Sequence, residues 1–259
     1  FIGDVGQGAI QEVDRVSSSF SGALNYGWSF REGTQPGFNG QMDSPSFTLP
    51  VAEYAHGTGP TQGNSITGGS VYRGPVEDLQ GQYIFGDFIV GNIWSIPISS
   101  LVVGSTFPAA SFTQRTAALT PDAGTPGANS IVAFPTDIAG NLYIVELNGQ
   151  RVLKVDAKGT FTVLAGTGKK GTTGDGGPAI NATFNGMHSL AVAPDGVFYI
   201  ADTWNNRLRK FNPKNGSVTA FAGTGPKNHS GDGHYAINAE FGGLYCVAFN
   251  QDHTRLYVT

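Results

Sequence analysis

Few residues of this chain are of a type and spacing that could carry chemistry. Among its five histidines, His56 lies in a Tyr-Ala-His-Gly turn and reads as a structural histidine. His188 precedes an inner-strand pattern, which puts it near the propeller axis where a ligand could sit, but with no His or Asp at metal spacing it does not make a zinc site. The Gly174-Asp175-Gly176 and Gly231-Asp232-Gly233 turns offer carboxylate and carbonyl oxygens of the kind Ca²⁺ takes, although a bare glycine turn needs the same residues. Asp202 and Arg207 flank a hairpin turn, where an ion pair would tie a sheet edge. The single cysteine, Cys246, lies in the apolar run Leu244 to Phe249 and reads as a buried, inert thiol. Asn181, Asn215 and Asn228 each open an Asn-x-Ser/Thr acceptor pattern for N-glycosylation, all in turn-like segments. No phosphate loop, nucleophile elbow, His-Glu-x-x-His or paired cysteines are present.

The elements that must position these residues are strands. Charged residues make up 13% of the chain and glycine numbers 38, against about 25% charged in an average domain. That balance suits short strands joined by tight turns. A repeat is explicit: Ala165-Gly166-Thr167-Gly168 recurs at 222, Gly174-Asp175-Gly176 at 231 and Ala179-Ile180-Asn181 at 236, each 57 positions later. Strand patterns echo at Tyr83–Asp87, Leu142–Glu146, Phe198–Asp202 and Leu256–Val258. The first three are followed by a polar turn and a second strand, at Asn92–Ile96, Arg151–Val155 and Arg207–Phe211. Units of this length with four strands predict an all-β fold, a β-propeller of four-stranded antiparallel blades, with about five blades and the end blades incomplete.

The net charge of −4 and the lack of any Lys/Arg run beyond Lys169-Lys170 give no footprint for nucleic acid. No apolar run approaches the roughly 20 residues of a membrane helix. The sequence opens without a methionine or signal peptide and stops inside a strand pattern, so both ends read as cut.

Ile2-Gly3-Asp4-Val5-Gly6-Gln7, Gln11-Glu12-Val13-Asp14, Asn25-Tyr26-Gly27-Trp28, Glu32-Gly33, Pro50 to His56, Ser65 to Gly69 and Gly86-Asp87-Phe88 follow one another as in the soluble quinoprotein (pyrroloquinoline-quinone-dependent) glucose/sorbosone sugar dehydrogenases and the hedgehog-interacting protein propeller. Residues 1–156 resemble the C-terminal blades of that family. The resemblance implies Ca²⁺ held by the backbone carbonyls of Gly6 and Gln7, beneath the quinone, with Asp4 and Glu12 as turn and strand-edge residues. The family's catalytic histidine belongs to blades that would precede Phe1. The cationic residues that clamp the quinone in the glucose-oxidising branch are replaced by Phe88-Ile89-Val90 and Asn129-Ser130-Ile131, which removes the charge partners of an anionic cofactor.

Residues 157–259 resemble NHL repeats, the blade type of teneurins and of many bacterial extracellular proteins. The match runs through Ala165 to Gly168, Gly174 to Ala179, Leu190 to Gly196 and Tyr199 to Lys210. Two families that mix enzymes with binding modules leave three readings. The favoured one is a secreted, N-glycosylated binding or structural scaffold. A Ca²⁺- and quinone-dependent aldose dehydrogenase is the alternative, and a lactonase-like or lyase-like propeller enzyme is the third. Glycans or other extracellular proteins are the expected partners. Ragged blade edges also suggest head-to-tail self-association, which gives a filament when the contact does not close.

Overall fold

A computed structural model describes residues 1–17, 19–37, 44, 46–119 and 130–259. They form two compact units, Phe1–Tyr72 with Leu79–Gly127 and Arg73–Asp78 with Ala128–Thr259. Helix among the described residues is limited to one four-residue turn, Thr116–Leu119, and short 3-10 segments. The fold is built of four-stranded β-propeller blades.

In the second unit, one sheet contains Ile131–Ala133, Tyr143–Glu146, Arg151–Val155 and Phe161–Ala165, and the next Met187–Val192, Phe198–Asp202, Arg207–Asn212 and Ser217–Ala222. Both are antiparallel meanders in chain order. A pair of strands, Val247–Phe249 and Leu256–Val258, follows at the positions the repeat assigns to the first half of another blade. Both faces of Tyr143–Glu146 and of Phe198–Asp202 are buried. Phe198 and Ile200 pack with Tyr143, Val145, Val152 and Phe184 on one side. Ala201, Leu208 and Ala222 pack with Leu244 and Val247 on the other. Blades stacked face to face thus bury both sides of a sheet, which explains strands more continuously apolar than a half-exposed sheet would have.

The first unit contains the meander Ile66–Val71, Gln82–Asp87, Ile93–Pro97 and Thr113–Gln114. Its other sheet pairs Ile2–Asp4, Ile10–Asp14 and Ala52–Ala55 antiparallel, and gains a fourth strand from Phe107–Pro108, which runs parallel to Ala52–Ala55. The sequence pattern did not announce that addition. Tyr54, Tyr83, Phe85, Trp94 and Phe112 form an aromatic core between the two sheets, with Tyr54 and Trp94 ring centroids 4.9 Å apart.

The 57-residue repeat is a repeat of hydrogen bonds. Gly166 N–H donates to Ala179 at 2.9 Å and Gly223 N–H to Ala236 at 3.0 Å; Thr167 donates to Ala182 and Thr224 to Ala239 in the same register. Both glycines have positive φ, +95° at Gly166 and +91° at Gly223. A Cβ on Gly166 would lie 2.0 Å from the Gln150 carbonyl oxygen, whereas one on Gly176 (φ +83°) would meet nothing within 4 Å. Gly176→Ala is therefore expected to cost only backbone strain, about 1 kcal/mol. Gly166→Ala adds a backbone collision and should cost about 3 kcal/mol, a difference that paired urea denaturation curves will show.

Candidate functional site

Each complete meander ends its second strand with a fully buried acid: Asp87, Glu146 and Asp202. Each is paired across the sheet with the first residue of the preceding strand, Ile66, Ile131 and Met187. Asp87 accepts the amides of Asn64 (2.8 Å), Ser65 (2.8 Å), Ile89 (3.0 Å) and Val90 (2.7 Å) and the Tyr54 hydroxyl (3.0 Å). Burial, then the Asp87 charge, drives the Tyr54 phenol far above its ordinary value. Asp202 accepts the Asn185 amide at 2.8 Å, the Asn205 side chain, and Arg207 Nε at 3.2 Å. Glu146 meets Arg151 Nε at 2.7 Å.

The predicted Asp202–Arg207 pair is thus present, inside a larger network. Asp175 of the first Gly-Asp-Gly turn accepts from Arg207 Nη1 and Arg209 Nε, both at 3.0 Å. Its carboxylate serves two guanidiniums. Arg209 is wholly buried, lies 4.7 Å from the Phe184 ring centroid and donates to the Thr183 and Thr173 carbonyls. Burial pushes the Asp202 carboxyl up, against the pull of Asn205, the Asn185 amide and both guanidiniums, and pushes Arg209 down. The network therefore compensates a desolvation cost that each charge would carry alone.

In the first unit the turn carrying Gly6 and Gln7 is fixed by Glu32. Its Oε1 accepts the amides of Gly8 (2.8 Å), Ala9 (2.9 Å) and Ile10 (3.2 Å). Burial acts to raise this carboxyl, and the three amides outweigh it, holding it below the usual carboxylate range. Gly6 is required by close approach, since a Cβ there would lie 1.6 Å from the Ile10 carbonyl oxygen. Gly6 and Gln7 contribute backbone carbonyls, the oxygen donors a hard cation takes, and that chemistry fits Ca²⁺. Among the described residues no three His, Cys, Asp or Glu side chains converge as metal ligands, so an ion here would rest on carbonyls. Quinone is another matter. Phe88-Ile89-Val90 is a turn bonded to the Asp87 carboxylate, which presents no cation to an anionic cofactor. Ser130 and Ile131 are buried, and Asn129 lies outside the described residues.

Asp4, Glu12 and Glu53 stand in one cross-strand row, with Asp14 two residues along from Glu12. Glu12 is a buried residue of the second strand, paired on both sides, and not the strand-edge residue expected. Its Oε1 accepts the Gly33 amide. Burial, reinforced by the Asp14, Asp4 and Glu53 charges and opposed by Gly33, raises its pKa to about 8. Burial and Asp4 raise Asp14 to about 7, and Asp14 Oδ1 is buried with no hydrogen-bond partner. His56 Nε2 pairs with Gln11 Nε2, while Gln11 Oε1 accepts the Ile66 amide at 2.9 Å. Asn181, Asn215 and Asn228 are all exposed. Cys246 is exposed as well, contrary to the buried thiol expected; it stands just ahead of the strand Val247–Phe249, where its backbone pairs with Thr259.

Residues 100–212 match the teneurin NHL domain family model. The match takes in the strands Ile131–Ala133 to Arg207–Asn212 and ends before Ser217–Ala222. Among solved structures, the chain is similar to a putative phosphatase from Bacteroides thetaiotaomicron, at 17% identity over 96% of this chain and 54% of that one, with a TM-score of 0.58. It is also similar to auxiliary nutrient binding proteins from Bacteroides ovatus (15%, 76% and 46%, TM-score 0.54) and Bacteroides thetaiotaomicron (19%, 78% and 46%, TM-score 0.52). The chain spans about half the length of these proteins, and at such identities the likeness is one of fold.

Two outcomes follow. Asp202→Ala strips Arg209 and Arg207 of a buried partner and should cost about 3 kcal/mol in denaturant titrations. Glu12 and Asp14 stay protonated in the fold up to about pH 8 and 7, whereas in the unfolded chain they ionise near pH 4. Their contribution is therefore lost as pH rises through that interval. The melting temperature of the cation-free protein should fall between pH 5 and 8, and Asp14→Asn should flatten the fall.

Proposed function

We propose that this chain is part of an extracellular β-propeller binding scaffold. The observation that carries this reading is the commitment of the paired charges to the frame. Asp87, Glu146, Asp202, Asp175, Arg207 and Arg209 hold loops to blades, while large apolar and aromatic side chains such as Trp28, Trp204, Tyr235 and Tyr245 remain in solvent. Exposed rings set on a rigid frame are the raw material of recognition. The NHL match over residues 100–212 and the fold shared with nutrient binding proteins support the same reading.

In this proposal the protein is secreted and carries N-linked glycans on Asn181, Asn215 and Asn228, with Ca²⁺ on the Gly6 and Gln7 carbonyls as a stabilising ion. Self-association through blade edges belongs to the same proposal. Secreted from eukaryotic cells, the protein should lose mass on treatment with an N-glycan-releasing enzyme, in three steps that Asn→Gln substitutions at 181, 215 and 228 remove one at a time. Ca²⁺ should raise the melting temperature and a chelator should reverse the rise. Supplied with pyrroloquinoline quinone, Ca²⁺ and a panel of aldoses, the protein should reduce no dye while binding extracellular matrix saturably. Turnover that needs both additions would replace the scaffold with a sugar dehydrogenase.

A further inference from the structure

The second unit carries a group of rings and polar atoms that its own fold leaves unused. His188, in the strand Met187–Val192, and Tyr245 occupy equivalent positions of the 57-residue repeat, as do Lys170 and Lys227. The His188 imidazole meets Trp204 at 5.8 Å and 73° and Tyr245 at 5.1 Å and 78° between ring centroids and planes. Trp204 is 44% and Tyr245 55% exposed. Leaving two large rings in water forgoes the burial that places aromatics inside most domains. The indole is seated deliberately: Gly186, with φ +65°, lies against it, and a Cβ there would be 2.3 Å from the ring.

The polar atoms complete the picture. His188 Nδ1 lies 2.8 Å from the Gly186 carbonyl, which only accepts, so Nδ1 carries the proton and Nε2 of the neutral ring is an acceptor. Lys170 Nζ stands 5.2 Å over the Trp204 ring and has no carboxylate partner among the described residues. Arg207, by contrast, is neutralised by Asp175 and Asp202. Trp204 is also one wall of a cleft of about 530 Å³ that includes the hydroxyl-bearing Thr172 and Thr224, a volume within the range of small-molecule sites.

We infer that this face binds an acidic saccharide, a hexuronic-acid sugar. Ring faces take the apolar C–H side of a pyranose, the imidazole acceptor and threonine hydroxyls take its hydroxyl groups, and the Lys170 ammonium takes its carboxylate. One ammonium beside the Trp204 ring suits one carboxylate per sugar and not a polyphosphate. The inference rests on the scaffold reading and gives it a ligand class.

The test is calorimetric titration of the intact protein with a galacturonic-acid trimer and, separately, with a neutral glucose trimer. Saturable binding of the acidic trimer is expected, weakened about tenfold or more by Trp204→Ala. Lys170→Gln, a change at an exposed position, should cost the acidic trimer about tenfold and leave the neutral one unaffected. Trp28→Ala, in the first unit, should change neither. Equal affinity for both trimers with no effect of Lys170→Gln would overturn the acidic ligand, and full-strength binding by a folded Trp204→Ala protein would overturn the location. No binding of either trimer, with matrix binding retained, would end this inference and leave the scaffold standing.

Discussion

The structure depends on one recurring solution to a backbone problem. A blade that must stack on both faces cannot solvate the amides of the loops that enter it, because those loops run into the sheet's buried end. An acid at the last position of the second strand collects them. Asp87 gathers four amides and a phenol, and Asp202 takes the amide two residues ahead of its neighbouring strand, just as Asp87 does. Buried polar groups are tolerable when they satisfy one another. Here that rule fixes how the loops beside Asp87 and Asp202 meet their sheets, and the segment that follows Asp202 carries Trp204.

Glycine supplies the complementary freedom. The loops return to the sheet through positions where a side chain would collide with a carbonyl, at Gly6 against Ile10 and at Gly166 against Gln150. The charged residues then lock what the glycines permit. Glu32 holds the Gly6 turn through three amides, and Asp175 ties its own Gly-Asp-Gly turn to Arg207 and Arg209. A low charge content and a high glycine content describe this division of labour between turns that must bend and acids that must hold them.

Much of the fold was legible in the chain itself. The strands Arg151–Val155 and Phe198–Asp202 fall where alternation and the repeat put them, because local pattern and blade stacking demand the same faces. The Asp202–Arg207 contact was legible too, since a hairpin places its flanking residues together. Longer-range facts were not. No local signal marks Phe107–Pro108 as a strand of a sheet whose other members end at Ala55. The burial of Glu12 depends on strands on either side of it and on the Gly33 amide. Arg209 looked like any strand residue, yet its guanidinium is wholly buried, because its partners come from a turn more than thirty residues earlier. Of the Trp204 group only His188 is marked in the sequence, because the rings lie apart in the chain and only the fold gathers them.

The two acidic regions of the molecule differ in a way that bears on what it does. In the second unit every buried acid faces a guanidinium, and charge is compensated within the chain. In the first unit, among the described residues, no cation offsets the burial of Glu12 and Asp14; Asp14 Oδ1 has no hydrogen-bond partner, and the two carboxyls are pushed up to about 8 and about 7. A protonated acid is a poor ligand and a poor base, yet it becomes a strong electrostatic attractor once ionised. The first unit thus holds its strand-centre acids uncompensated and loses stability as they ionise, whereas the second unit's acids are held by guanidiniums across the same interval.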